Sequence, residues 1–201
     1  MSRKRRKKKN TGTLILTIFI VAVIIVLAVF GIIYGAGKWQ KETHPLKYGE
    51  YVSRYSREAG LDEYLVYAFI KTESGFDEKA ESYLGARGLM QIMPETFEWI
   101  RYRLDEENNP EISYDSMYEA EENIRYGCYL LKYLSDEFGG GLTEIAAAYH
   151  AGNGSVSSWL ENEEYSENGK LIKIPNPDTA HYVDKISKAY ETYCKLYTND
   201  Q

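Results

Sequence analysis

Residues 13–37 run for 25 positions without one Asp, Glu, Lys, Arg or His. Within that stretch Leu14 to Tyr34 is dominated by Ile, Val and Leu. As an α-helix this segment extends about 31 Å, close to the hydrocarbon thickness of a bilayer. The sequence predicts one transmembrane helix over residues 13–37. A cleaved secretory signal is the rival, but its apolar core spans only about 7–15 residues. Gly35 and Gly37 offer at most a weak small-x-small cleavage site. A buried helix of a soluble core is disfavoured because no charge interrupts the run.

Charge divides sharply around this helix. Residues 1–12 form a basic tail carrying Arg3, Lys4, Arg5, Arg6, Lys7, Lys8 and Lys9. These seven leave 17 of the 24 Lys and Arg for the rest of the chain, against all 30 Asp and Glu. The net charge of −6 therefore resolves into +7 at the tail and −13 beyond the helix. Positive charge flanking a span stays in the cytoplasm. The expectation is a single-pass plasma-membrane protein with a cytoplasmic N-terminus and an extracytoplasmic C-terminal part. Tyr34 and Trp39 fall where an outer aromatic anchor belongs. The basic cluster can also touch anionic lipid heads. The acidic outer part is a poor surface for nucleic acid, and no nucleic-acid partner is expected.

Residues 38–47 read as a linker with Pro45, reaching at most about 35 Å and so keeping the outer part near the membrane. From Tyr48 to Tyr197 the pattern is helical almost throughout, with residues 198–201 as a short tail. Tyr51, Val52, Tyr55 and Ala59 mark one amphipathic helix, ended by Gly60. Leu61, Leu65, Ala68, Phe69 and Thr72 mark the next, with Asp62 as N-cap. Pro94 suits the first turn of a third, with Phe97, Ile100 and Leu104 facing inward. Ile124, Gly127, Cys128, Leu131 and Leu134 define a longer helix closed by Gly139 to Gly141. Thr143 is expected to cap the segment that follows. Asn153 opens a short turn through Trp159, and the last helix covers about Asp178 to Tyr197. Asn168-Gly169 is the one good hairpin signal. The expected fold is an all-α domain of about 150 residues, large enough to bury one core.

Glu73 sits near the end of an apolar helix, four residues after Phe69 and eight after Leu65. A carboxyl at the edge of a buried face is partly desolvated, which raises its pKa. That suits a general acid near neutral pH. The plainer alternative is a solvated, inert Glu at a helix end, and spacing alone does not separate the two.

Three blocks resemble a known family. The first is Glu73-Ser74, then Ser82, then Gly85-Ala86-x-Gly88-Leu89-Met90-Gln91-Ile92-Met93-Pro94 and Thr96. The second is Ala148-Tyr149-His150-Ala151-Gly152, and the third is Asp178-Thr179-x-x-Tyr182-Val183. Together they resemble the soluble lytic transglycosylase catalytic domain of glycoside hydrolase family 23, related to goose-type lysozyme, over roughly residues 47–197. The resemblance implies a lysozyme-like fold and peptidoglycan glycan strands as substrate. It further implies cleavage of the β-1,4 bond between N-acetylmuramic acid and N-acetylglucosamine, leaving a 1,6-anhydro end. Glu73 matches the family's single acid/base. Ser82, Gln91, Met93 and Tyr149 are implied to line the cleft, with the Tyr149 hydroxyl near Glu73 and Tyr182 closing the cleft from the last helix. Gly85 and Gly88 suit tight turns. Met90 reads more simply as core, and Met93 as either core or cleft.

Two positions depart from the pattern. His150 stands where most relatives have Asn, adding bulk and a group that titrates near neutral pH. It either tunes the cleft or packs beside it. Asp178 replaces Glu, one methylene shorter. Asp77, four residues beyond Glu73, would give a second carboxyl if the helix continued, although Gly75 argues against that. The rival functions are therefore a muramidase hydrolysing the same bond and a non-catalytic glycan-binding scaffold of an envelope assembly whose partners the sequence does not name.

His44, His150 and His181 are too scattered for a short metal motif, and no phosphate-cradling glycine loop precedes a helix. Neither a metal nor another cofactor is expected. Cys128 falls on a core face and reads as a buried free thiol, with a bridge to Cys194 as the alternative. Most of the 19 tyrosines recur at helical spacing and read as core or half-buried surface.

Overall fold

The computed structural model describes residues 11–198. Arg3 to Lys9 and the last three residues of the expected 198–201 tail lie outside the described residues. The chain divides after Thr43 into two units.

The first unit is helix α1, Thr11–Thr43. It is the one described helix long and apolar enough to cross a membrane, over Leu14–Thr43. Ile, Val, Leu and Phe side chains are exposed around its whole circumference, from Leu14 to Ile33. The helix runs six residues past the predicted span, through Lys38–Thr43, which were expected to be linker. Nothing in that stretch opposes a helix: the first proline is Pro45, which disfavours helical backbone at the preceding residue. Thr43 Oγ1 turns back to donate to the carbonyls of Trp39 and Gln40 at 3.1 and 3.0 Å.

The second unit begins at His44. It comprises α2 (Gly49–Ala59), α3 (Glu63–Glu73), α4 (Pro94–Arg103), α5 (Ala120–Glu137), α6 (Leu142–Ala151), α7 (Asn153–Leu160) and α8 (Pro177–Tyr197), with a 3₁₀ turn at Tyr114–Tyr118. Six consecutive residues of α3, Leu65 to Ile70, are buried. A helix apolar on all sides must lie at the centre of a domain. Helices α2 and α8 pack on α3, while α8 also packs on α6 and α5 on α2. Asp62 caps α3 as expected, accepting from Tyr64 N at 2.8 Å. Its other oxygen accepts from the Tyr190 hydroxyl at 2.7 Å, tying α8 to the start of α3.

The inward residues expected for α4 and α5 are buried, except that Leu104 is the half-buried C-cap of α4. Asn168 and Gly169, both with positive φ, form the turn between β1 (Ser166–Glu167) and β2 (Lys170–Leu171). The cap of α6 differs from expectation. Gly141, not Thr143, is its N-cap, because the buried Glu144 carboxylate folds back over that position. A Cβ at Gly141 would lie 2.1 Å from Glu144 Oε2. The other Glu144 oxygen accepts from Leu171 N at 2.8 Å, holding the hairpin to α6. Cys128 and Cys194 are both free thiols, and burial pushes Cys128 up to about 12.

Candidate active site

Glu73 is the last residue of α3, and the chain turns away at once. Ser74 Oγ donates to the Leu89 carbonyl at 2.8 Å and accepts from Phe76 N at 3.1 Å. Gly75 and Phe76 both adopt positive φ, so the helix cannot continue toward Asp77. The Asp77 carboxylate is exposed and accepts from Lys79 N at 2.9 Å in a local turn. It does not share the face of Glu73.

The Glu73 carboxyl lies in a cavity of about 350 Å³ between three helices. Helix α3 supplies Thr72 and Glu73, α6 supplies His150, and α8 supplies Asp178, His181, Tyr182 and Lys185. Tyr182 donates its hydroxyl proton to Glu73 Oε1. Burial pushes the Glu73 carboxyl up to about 7, with the Tyr182 hydrogen bond pulling the other way. Burial and the nearby Glu73 charge hold the Tyr182 and Tyr149 hydroxyls well above 10, so both stay donors at neutral pH.

The expected site residues divide into groups. Glu73, His150 and Tyr182 share the cavity. Tyr149 lines a neighbouring cavity of about 370 Å³ with Thr96, Trp99, Tyr133 and Asn153. Its hydroxyl donates to the Met90 carbonyl at 2.7 Å. The Tyr149 hydroxyl, expected near Glu73, feels the Glu73 charge, while the direct hydrogen bond to Glu73 comes from Tyr182 on another helix. The two tyrosines are linked through Phe69, whose ring lies 4.8 Å from Tyr149 and 6.5 Å from Tyr182. Ser82 Oγ accepts from Ala86 N at 3.0 Å, and the Gln91 amide donates to the carbonyls of Ala80 and Gly88 at 3.1 and 3.0 Å. Ser82 and Gln91 therefore brace their own loop, and Met93 is the half-buried N-cap of α4. None of these three lines the Glu73 cavity.

His150 Nδ1 lies 3.1 Å from Thr179 Oγ1, and its ring packs 4.7 Å from Tyr182. Burial lowers its pKa below 6.5, opposed by Asp178. The imidazole in place of Asn is thus a neutral hydrogen-bonding group at neutral pH.

The loop of residues 80–93 is organised by a residue that the sequence reading missed. Buried Asn123 on α5 accepts from Met90 N at 2.7 Å and donates to the carbonyls of Arg87 and Met117, each at 2.9 Å. Gly88 has a φ of +75°, and a Cβ there would lie 2.0 Å from the Met117 carbonyl and 2.4 Å from Asn123 Nδ2. Met90 is fully buried against Gly127, where a Cβ would meet its sulfur at 2.1 Å, so Met90 is core. Tyr114 donates to the Gly85 carbonyl. An Asn one residue before a core Ile was the available signal for Asn123. For His181 and Lys185 it was their spacing of one and three residues from Tyr182.

Residues 50–172 match the family described as the transglycosylase SLT domain. This chain belongs to that family. The soluble lytic murein transglycosylase of Salmonella typhimurium is 33% identical over 169 residues, covering 81% of this chain and 25% of the relative. The membrane-bound lytic murein transglycosylase C of Actinobacillus pleuropneumoniae is 29% identical over 177 residues, covering 77% of this chain and 48% of the relative. The chain thus spans between a quarter and a half of the length of these two relatives. Among solved structures, the 70 kDa soluble lytic transglycosylase of Escherichia coli superposes with a TM-score of 0.70 at 28% identity, over 78% of this chain and 25% of that one. The lytic transglycosylase Slt of Pseudomonas aeruginosa gives 0.68 at 27% identity, over 76% and 24%. The all-α, lysozyme-like SLT fold expected from the sequence is therefore the fold of this domain.

Proposed function

We propose that this chain is a membrane-anchored peptidoglycan lytic transglycosylase that opens the MurNAc–GlcNAc β-1,4 bond and leaves a 1,6-anhydroMurNAc end. The observation that carries the reading is Glu73: a half-buried carboxyl raised to about 7 and held by a tyrosine that stays protonated. Such a carboxyl carries a proton at neutral pH and can also lose it, so one group serves as acid and then as base. Glu73 protonates the leaving glycosidic oxygen as the C1–O bond breaks. The substrate's N-acetyl oxygen stabilises the positive C1. The Glu73 carboxylate then takes the proton of the C6 hydroxyl as its oxygen bonds to C1, which restores the acid and adds no water. Tyr182 holds Oε1 throughout, leaving the other oxygen for proton transfer.

The membrane part of the proposal rests on α1. Its exposed apolar circumference fits a bilayer, and the basic residues Arg3 to Lys9 favour a cytoplasmic N-terminus, which supports an extracytoplasmic SLT domain. The role proposed for this activity is cell-wall remodelling. An envelope assembly partner is compatible with this placement.

The test is product mass. The full chain in detergent is incubated with purified peptidoglycan beside its Glu73→Gln variant. Muropeptides one water lighter than reducing-end products, and absent with the variant, support the proposal. Reducing ends overturn it in favour of hydrolysis. One observation favours that second reading: Asp178, not Asp77, is the other carboxylate in the Glu73 cavity, where it could direct a water. Asp178→Asn would then remove the reducing-end products. Full function of Glu73→Gln in cells would instead leave the domain as a glycan-binding scaffold.

A further inference from the structure

Two aromatic residues among those described hold their backbone in the left-handed region: Tyr48, with a φ of +59°, and Phe76, with a φ of +71°. A bulky side chain is disfavoured there, and such a conformation persists only where its surroundings hold it. Phe76 lies three residues after Glu73, in the turn that ends α3. The Ser74 carbonyl closes that turn by accepting from Asp77 N at 3.3 Å. If Phe76 relaxed to an ordinary φ, the chain would leave α3 in another direction. The last turn of the helix, which carries Glu73, would loosen with it.

The stretch of chain that opens the second unit backs this turn. The buried Phe76 ring lies 6.4 Å from Tyr67, which also stacks on Tyr193 of α8 at 5.4 Å. Tyr193 donates its hydroxyl to the Pro45 carbonyl at 3.2 Å. The Tyr67 hydroxyl abuts Gly49, where a Cβ would lie 3.4 Å from it. Two residues beyond Phe76, the half-buried Glu78 accepts from the Tyr48 hydroxyl at 3.3 Å. Burial and the Glu78 charge raise the Tyr48 hydroxyl above 10, so it stays a donor. Pro45, Tyr48 and Gly49 thus each meet the Phe76 turn or the rings behind it. The family match begins at residue 50, so this brace comes from outside the matched segment.

We propose that Tyr48 and Glu78 are positioning residues for Glu73: their hydrogen bond holds the Phe76 turn closed, and the closed turn keeps the Glu73 carboxyl in its cavity and away from bulk water. The proposal rests on the acid/base reading of Glu73 above. Neither Tyr48 nor Glu78 lines the Glu73 cavity. The groups that face Glu73 are Asp178, His181, Tyr182 and Lys185 of α8 and His150 of α6, and the Tyr149 hydroxyl feels its charge. None of these belongs to the brace, so a shift in Glu73 on opening the turn reports its solvation. Opening the turn admits water, favours the ionised carboxyl and lowers its pKa. The protonated acid is then lost at a lower pH.

The experiment uses the full chain in detergent. Tyr48→Phe deletes one hydroxyl and changes no charge. It should move the alkaline limb of kcat/KM on peptidoglycan down by about half a pH unit and lower kcat about threefold, with KM unchanged. Glu78→Ala should do the same, and the double variant no more than either alone. Glu78→Gln, which keeps an acceptor and loses the charge, should retain the parent profile. A rise in KM at unchanged kcat overturns the proposal, as does a loss of thermal stability with the pH profile in place. Additive effects of Tyr48→Phe and Glu78→Ala also overturn it. A second readout needs no turnover. The stability that Glu73→Gln gains as pH rises reports the Glu73 pKa, and in the Tyr48→Phe background that gain should shrink. If even the parent leaves peptidoglycan uncut while the gain still shrinks, the enzymatic reading fails and the positioning stands. An undiminished gain overturns the positioning.

Discussion

Two walls meet the end of α3, only one of which lines the Glu73 cavity, and they are built in opposite ways. The loop of residues 80–93 carries the densest family motif, yet most of its polar groups are spent on itself and on Asn123. Helix α8 carries a sparser motif, yet it supplies the hydroxyl on Glu73 and most of the cavity's charged groups. A loop without regular backbone pairing must satisfy its N–H and C=O groups one by one. Each such bond demands a particular residue type, which makes the loop conspicuous in sequence. A helix satisfies its own backbone, so its side chains vary freely and their roles depend on what the helix faces.

This contrast predicts that loop substitutions damage folding and α8 substitutions damage chemistry. The largest effect is expected for Gly88→Ala. Its Cβ meets backbone at 2.0 Å in a positive-φ conformation, and we expect a loss of at least about 3 kcal/mol, read as a collapse of the thermal transition. Asn123→Ala comes next. Three hydrogen bonds vanish and buried loop groups are left unpaired, for a loss of about 2–3 kcal/mol by urea denaturation. If Asn123→Ala keeps its stability but loses activity, the division between walls is wrong.

Glu73→Gln should raise stability in a pH-dependent way. The carboxyl pKa is higher folded than unfolded, so the native state binds more protons and loses stability as pH rises from about 4.5 toward 7. Gln lacks that penalty. The variant should gain about 2 kcal/mol over the parent at pH 8 and little at pH 4. Equal gains at both pH values would mean that the carboxyl is not held in a desolvated site.

The smallest effect is the most specific. Tyr182→Phe removes a hydrogen bond that favours ionised Glu73, so the Glu73 pKa should rise further. We expect kcat to fall about tenfold and the alkaline limb of kcat/KM to move upward by about half a pH unit, with little change in thermal stability. A downward move would reassign the charge balance at Glu73, and a large stability loss would return Tyr182 to the structural wall.

The same division explains what could be read in advance. Apolar spacing located α2 to α5 because burial of one helix face imposes its period on the residues, whereas the short turn expected from Asn153 through Trp159 is the helix α7. Spacing missed the 3₁₀ turn at Tyr114–Tyr118, which is too short to show a period. The cap of α6 was misplaced because Thr143 is a good local cap, whereas Glu144 acts through Leu171, 27 residues away. The Glu73 reading drew on helix position for its burial and on family resemblance for its role. The resemblance also put Tyr149 near Glu73, whose charge it feels, but it did not show that the direct hydrogen bond comes from Tyr182, 109 residues distant.

The sequence by itself determined the apolar helix, the all-α domain, the family and the identity of the one carboxyl on which the chemistry is proposed to turn. Each is written in local composition, period or contiguous motif. Only the tertiary structure decided which hydroxyl holds that carboxyl, which charges share its cavity and how far its proton is retained. These depend on the packing of α3, α6 and α8 against one another. The burial that raises Glu73 to about 7 is a property of that packing, not of any segment alone.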